Sequence, residues 1–283
     1  MIHAVTRANR HLYRRQLWEM FTGRRDAFYD RCGWKDLLVY DGAEADDFDD
    51  EKTVYLLALD DHEDLEAAVR IRPTTDKCIL VDKYPEMIGP DAPCLKGPEA
   101  WESSRIFTTE RHRESADKGR RRTREVGIAS LEYILAAGGK RSVGMIDLHL
   151  FPWVADATAG RIRMAGPPKE YAYGVMVGTW LEISEEELEQ NRDAIGQPPE
   201  LRLVYEVDDD DIAAWGSLCA IQREVDRARA FTAAAADEQA QLPDREAVVR
   251  ATVLFAKHDA LAAASADALD RGWDAEGRAR RQA

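Results

Sequence analysis

Two periods of hydrophobic and polar residues run through this chain. Over residues 10–22 the apolar positions Tyr13, Leu17 and Met20 recur every three or four residues, which predicts an amphipathic helix. Residues 52–59 (KTVYLLAL) and 67–72 (AAVRIR) are short, rich in β-branched and aliphatic side chains, and separated by the turn Asp60-Asp61-His62-Glu63; they predict a strand and its return, closed by Pro73. Residues 101–109 (WESSRIFTT) alternate large and polar positions, as a further strand does. A helix is predicted at about 123–137, stopped by Gly138-Gly139, then strands near 141–148 and 172–183. Ser184 followed by Glu187 is a capping-box pattern for one more helix. The reading is an α/β chain with one mixed sheet and no internal repeat.

Beyond Gly196-Gln197-Pro198-Pro199 the texture changes. Residues 197–283 are alanine-rich and helical in pattern, with stripes at Trp215, Leu218, Ile221, Val225 and Ala228 and at Val249, Val253, Ala256, Ala260 and Ala263. Two amphipathic helices meeting near Leu242-Pro243 are expected, buried on the first domain, on each other, or on a second copy as a homodimer. Two domains follow, residues 1–196 and a helical extension, 197–283.

Composition narrows the function. Among 283 residues, 39 Lys and Arg stand against 53 Asp and Glu, a formal charge of −14. That balance argues against a dedicated nucleic-acid binder. No apolar run approaches the ~18 residues a membrane span needs. The polar, basic start has no signal-peptide pattern, so a cytoplasmic location is expected. Cys32, Cys78, Cys94 and Cys219 form no C-x-x-C pair, and the six histidines show no metal-ligand spacing, so neither a zinc site nor a disulfide framework is expected.

Three clusters carry candidate chemistry. Arg24, Phe28 and Trp34 precede the acidic run Glu44, Asp46, Asp47, Asp49 and Asp50; aromatics beside carboxylates suit a compact organic cation, and equally a solvated acidic loop over core aromatics. Arg70 stands near a strand end before Pro73-Thr74, where a surface ion pair is the plain alternative. Glu102, Ser104 and Arg105 lie on a strand that otherwise reads as buried, where a carboxylate and a guanidinium are costly unless paired. Residues 111–125 are locally basic, with Arg111, Arg113, Lys118, Arg120, Arg121, Arg122 and Arg124.

Taken in order, these residues resemble the LuxI-type acyl-homoserine-lactone synthases, the bacterial makers of quorum-sensing autoinducers. The resemblance spans about residues 1–196. It rests on the opening Met1-Ile2 with Val5 to Tyr13, Arg24-x-x-x-Phe28 with Trp34, and Asp46-x-x-Asp49 around Phe48. It continues through Arg70 with its Pro73-Thr74 ending, Tyr84-Pro85, and Trp101-Glu102-x-Ser104-Arg105. Tyr84 and Ile106 stand where the family has Phe, and residues 142–147 lack the Thr that accompanies 3-oxo acyl chains.

The resemblance implies a fold similar to the GNAT acyltransferases, a twisted mixed sheet flanked by helices and split where the thioester enters. It implies S-adenosylmethionine as a substrate, no cofactor or metal, and an acyl donor carried by acyl carrier protein or coenzyme A. Glu102 is then the expected base, with Ser104 and Arg105 beside it. Arg24, Phe28, Trp34, Asp46, Asp49 and Arg70 are expected at S-adenosylmethionine, Tyr84, Ile106 and Met145 at the acyl chain, and Arg120, Arg121 and Arg122 at an acidic carrier. Two rivals stay open: an N-acyltransferase acting on another amine, and a non-catalytic binding or regulatory protein on the same scaffold.

Overall fold

The computed structural model describes residues 1–7, 9–112, 116–194 and 203–204. Its elements, in chain order, begin with β1 (Ile2–Val5), a 3-10 turn (Arg10–Tyr13), α1 (Arg14–Arg24) and a π-helical segment (Arg25–Arg31). Next come β2 (Val39–Tyr40), β3 (Ala43–Glu44), β4 (Val54–Leu59), β5 (Leu65–Pro73), α2 (Ile79–Lys83), β6 (Ala100–Thr108), α3 (Ala116–Ala136) and β7 (Arg141–Asp147). The chain continues through α4 (Phe151–Ala157), β8 (Arg163–Met164), β9 (Lys169–Tyr171), β10 (Gly174–Glu182), α5 (Glu185–Ala194) and β11 (Leu203–Val204). The chain divides into two compact units. Among the described residues, one holds 1–7, 26–35, 50–112, 116–194 and 203–204; the other holds 9–25 and 36–49.

In the first unit the strands form one mixed sheet in the order β11-β1-β4-β5-β6-β7-β10-β8, with β9 on β10. Every residue of β4, and all of β5 but Pro73, is buried. That is why their sequences read as near-continuous apolar runs rather than as strict alternation. One face, with Ile2, Ala4, Leu56, Val69 and Ile71, packs on Val126, Ala129 and Ile134 of α3. The opposite face carries Tyr55 and Arg70, paired in register across β4 and β5.

The strands and helices predicted within residues 1–196 are found, with differences. α3 begins about two turns before the expected 123: its first turns are polar, with Arg121 and Arg122 both paired to Glu125, and show no apolar stripe. The stretch expected as one strand near 172–183 opens as a hairpin, Tyr171 pairing with Gly174. Ser184 caps α5 by accepting from the Glu187 N–H at 3.2 Å, while its hydroxyl donates to the Glu187 carboxylate. Leu203 and Val204, inside the stretch expected to be helical, pair in parallel with Ile2 and His3. The remainder of the expected extension, its helices and any homodimer through them lie outside the described residues. Among the described residues no helix is long and apolar enough to cross a membrane, and no group of His, Cys, Asp and Glu is placed to hold a metal ion.

The sheet is split where β6 and β7 meet. These neighbours run parallel but pair only over Ala100–Glu102 and Arg141–Val143. Beyond that, β6 stays with β5 and β7 with β10, so the two strands part company. Gly144 sits at the parting: a Cβ there would lie 2.7 Å from the Ser103 carbonyl oxygen, so only glycine lets the strands approach this closely before they separate.

Candidate active site

Residues directly opposite on antiparallel strands share a face. Arg70 faces Ser104 and Arg72 faces Glu102, so all four lie on the sheet face away from α3. The Arg70 Nε donates to Ser104 Oγ at 3.0 Å; Arg70 is buried and Ser104 half-buried. Arg72, which the sequence reading passed over, donates to Asp50 at 3.0 Å and to the Lys77 carbonyl at 3.1 Å, tying down the chain that leads into α2. Its place two residues from Arg70 on one strand was a legible signal.

Simple alternation along β6 would carry Glu102, Ser104 and Ile106 on one face. The register slips instead: Arg70 pairs with Ser104, but Ala68 pairs with Phe107. Two residues stand opposite one, the mark of a β-bulge, and Arg105 takes up the extra length in a left-handed conformation with φ of 53°. The slip places Phe107 on the face of Arg70 and Ser104. Ile106 goes to the other face, 39% exposed, its Cδ1 the nearest group to Gly127 of α3. It is therefore apart from Tyr84 and Met145, with which the sequence grouped it. Those two do come together, around Cys78, Leu80, Met87 and Val143 in a second apolar cluster.

The bulge also assembles an aromatic group. Phe28 stacks on Trp34 with centroids 5.4 Å apart, meets Phe107 edge-on at 6.1 Å, and lies under the Arg105 guanidinium at 5.6 Å. Residues six apart fall on different sides of an α-helix. Here the π-helical winding and Gly33, at φ of 75°, turn the chain back until the Trp34 N–H reaches the Phe28 carbonyl at 3.0 Å.

Glu102 is the most constrained group. It is 2% exposed, and its carboxylate receives the backbone N–H of Ile79 on Oε2 at 2.8 Å and of Leu80 on Oε1 at 2.9 Å. The Cys78 thiol donates to Oε1 at 3.4 Å. Glu102 thus caps the first turn of α2 in place of a local side chain; Cys78, at the cap position, makes no such bond itself. Burial pushes the Glu102 carboxyl above its usual range, outweighing the Ile79 and Leu80 amides, the Cys78 thiol and the Arg70 charge, which all pull it down. Neither Cys78 nor these amides carried a motif signal, because the contact spans 22 to 24 residues.

The second unit holds its own buried cluster. The Arg24 Nε donates to Glu44 at 2.5 Å, and its two terminal nitrogens grip Asp49 at 2.7 and 2.9 Å. Burial opposes the Arg24 charge, but Asp49 and Glu44 outweigh it and hold the proton more firmly than in a free guanidinium. Asp49 also accepts the Asp46 N–H at 2.8 Å, and Asp46 accepts the Phe48 N–H at 2.9 Å, so the carboxylates shape the 46–49 turn.

Several described bases of the basic stretch are paired with carboxylates. Arg121 pairs with Glu125, Arg122 with Glu66 and Glu125, Arg124 with Asp156, and Arg111 with Asp64.

The autoinducer synthase family matches residues 8–190 of the chain. The chain belongs to the autoinducer synthase family. Over 116 residues this family member is 38% identical to the isovaleryl-homoserine lactone synthase of Bradyrhizobium diazoefficiens, covering 41% of this chain and 52% of that relative. It is 28% identical over 150 residues to an acyl-homoserine-lactone synthase of Acinetobacter nosocomialis, covering 51% of this chain and 80% of the relative. Its fold is similar to that of BjaI, a coenzyme A-dependent acyl-homoserine lactone synthase solved with S-adenosylmethionine and isopentyl-CoA. That likeness has a TM-score of 0.64 at 28% identity and covers 76% of this chain and 98% of the other. The first two curated sequence matches cover only 52% and 41% of those relatives' length.

Proposed function

We propose that this autoinducer synthase acylates the amine of S-adenosylmethionine from an acyl thioester, then closes the product to an acyl-homoserine lactone with release of methylthioadenosine. The observation that carries this reading is the place of Glu102. It stands at the border between the apolar cluster of Leu80, Tyr84 and Met145 and the polar, aromatic face of Arg70, Ser104, Arg105 and Trp34. An acyl chain fits the first and a cationic nucleoside the second.

The steps balance as follows. Glu102, directly or through one water, takes a proton from the ammonium, and its burial suits that task by holding its proton affinity above that of a free carboxylate. The nitrogen lone pair then forms a bond to the thioester carbonyl carbon. The oxyanion is met by backbone N–H groups at the Arg105–Ile106 bulge; as it collapses, the C–S bond breaks and the second proton of the nitrogen passes to the departing sulfur, so that an amide and a free thiol result. A carboxylate oxygen of the substrate next displaces neutral methylthioadenosine from the γ-carbon, a step that needs mainly orientation because the sulfonium is already a good leaving group. Trp34, stacked on Phe28, supplies an aromatic face for the nucleoside. Ser104 and Arg70 hold each other and serve the substrate carboxylate. Arg24 and Asp49, engaged with each other, act as braces for the turn carrying Asp46.

The donor we favour is a coenzyme A thioester of a short, branched acid. The named relatives support it, and so does the pairing of Arg111, Arg121, Arg122 and Arg124 with nearby carboxylates, which weakens the field a carrier protein would use. The test is incubation with labelled S-adenosylmethionine and matched acyl thioesters on coenzyme A and on acyl carrier protein, with products read by mass. Lactone and methylthioadenosine are expected together. An acylated amine without methylthioadenosine would point to the other N-acyltransferase reading. No product from any thioester would overturn the proposal, and a higher kcat/KM with the carrier protein would overturn the donor assignment.

A further inference from the structure

The Glu102 carboxylate has about four acceptor positions, two on each oxygen. Among the described residues three are filled. Leu80 N–H and the Cys78 thiol occupy Oε1, and Ile79 N–H occupies one position of Oε2. The position that remains is on Oε2. Without the thiol, Oε1 would have a position open as well, and the carboxylate would present two directions instead of one.

We propose that Cys78 is a positioning residue: its thiol fixes which oxygen of Glu102 is left to receive the substrate's ammonium proton. This rests on the lactone-synthase reading above.

The segment around Cys78 is built to hold still. Thr74 N–H donates to the Ala100 carbonyl at 3.1 Å, Arg72 grips the Lys77 carbonyl, and Cys78 N–H donates to Asp82 at 2.9 Å. Leu80 lies over Gly178, where a Cβ would come within 2.8 Å of its methyl. The thiol stays a thiol at any working pH. Burial and the adjacent Glu102 charge push it up to about 12, so it acts as a permanent donor and not as a nucleophile. The charged groups facing Glu102 are Arg70 and Arg72 on β5 and Asp82 on α2, the last neutralised by Lys96 at 2.6 Å; β7 presents Val143 beside it. None of these replaces the thiol's bond.

The experiment compares wild type, Cys78→Ser and Cys78→Ala by the pH dependence of kcat/KM and by infrared titration of the Glu102 carboxyl, whose band is identified by its loss in Glu102→Gln. Removing a donor to the ionised form raises a carboxyl pKa, so Cys78→Ala should move the acid limb and the infrared midpoint upward by roughly half a unit. Its kcat should fall about three- to tenfold with KM for S-adenosylmethionine within about twofold, as expected when an interaction orients a base without binding substrate. Cys78→Ser, which keeps a donor, should restore both. Superimposable profiles in all three proteins would overturn the proposal. So would equal losses in both variants with an unmoved acid limb, the pattern of a packing role alone. If wild type makes no lactone, the functional reading fails. The infrared titration still decides the Cys78–Glu102 bond, an unmoved midpoint in Cys78→Ala overturning it.

Discussion

Replacing Arg24 by Met tests whether the acidic turn is held by charge pairing. Met matches much of the length of Arg and has no donor. The change deletes three N–H donors that reach two carboxylates, Glu44 at 2.5 Å and Asp49 at 2.7 and 2.9 Å. Both partners and Arg24 itself have side chains no more than 1% exposed, so water cannot take over the lost bonds. Breaking a buried pair by removing one partner costs about 3–5 kcal/mol, chiefly from the charge left behind. A urea slope of roughly 1–3 kcal/mol per molar converts that to a midpoint lower by about 1–5 M. Urea melts followed by circular dichroism and tryptophan fluorescence give the number, with Trp18 on α1 as a reporter in the same unit. Arg24→Lys, which keeps the charge but loses the planar fork, should fall in between. The double change Arg24→Met with Asp49→Leu should recover part of the loss, because an apolar pair strands fewer charges. The deficit of Arg24→Met should also shrink between pH 7 and 5: stranded carboxylates bind protons more readily folded than unfolded, so stability falls as pH rises. A variant within about 1 kcal/mol of wild type, well below the expected cost of a broken buried pair, would refute the reasoning.

Three further outcomes follow from the site and its supports. Glu102→Gln should lower kcat by roughly 10²–10⁴ if Glu102 is the base. In the wild type kcat/KM should fall with acid through a pKa above the usual carboxylate range, because the raised carboxyl is protonated and inert below it; a flat profile through that range would remove the assignment. Gly144→Ala would force a Cβ to 2.7 Å from the Ser103 carbonyl, and backbone cannot give way as a side-chain tip can. It should cost about 1–3 kcal/mol, read as a lower thermal midpoint, with loss of acyl transfer as the parting of β6 and β7 shifts. Arg122→Gln removes one charge partner from Glu66 and one from Glu125, both buried, and should destabilise by about 1–3 kcal/mol in thermal melts, with KM for a coenzyme A thioester unchanged. An altered KM would return Arg122 to the donor site.

The residues bearing the family pattern determined much of this protein before any coordinates. The near-continuous apolar runs at 52–59 and 67–72, the alternation after Trp101 and the 3.6-residue stripe before Gly138 located the central sheet and its main helix, because burial on a fixed face imposes those periods. The order of Arg24, Phe28, Trp34, Asp46, Asp49, Arg70 and Glu102 pointed to the family. Polar stretches were less legible, and the first turns of α3 were missed because ion pairs leave no apolar period.

Only the tertiary structure decided which face each site residue shares. The single extra residue at Arg105 reverses the parity of β6, sending Ile106 to the helix side and Phe107 to the aromatic group, and no local period announces a bulge. Likewise the sequence offered Glu102 as a carboxylate on a buried strand. Its grip by Cys78, Ile79 and Leu80 depends on a loop that returns from a different part of the chain. Periodicity reports what a segment buries. The partner it buries against, and the direction in which a charge is left to act, are set by contacts between segments far apart in sequence.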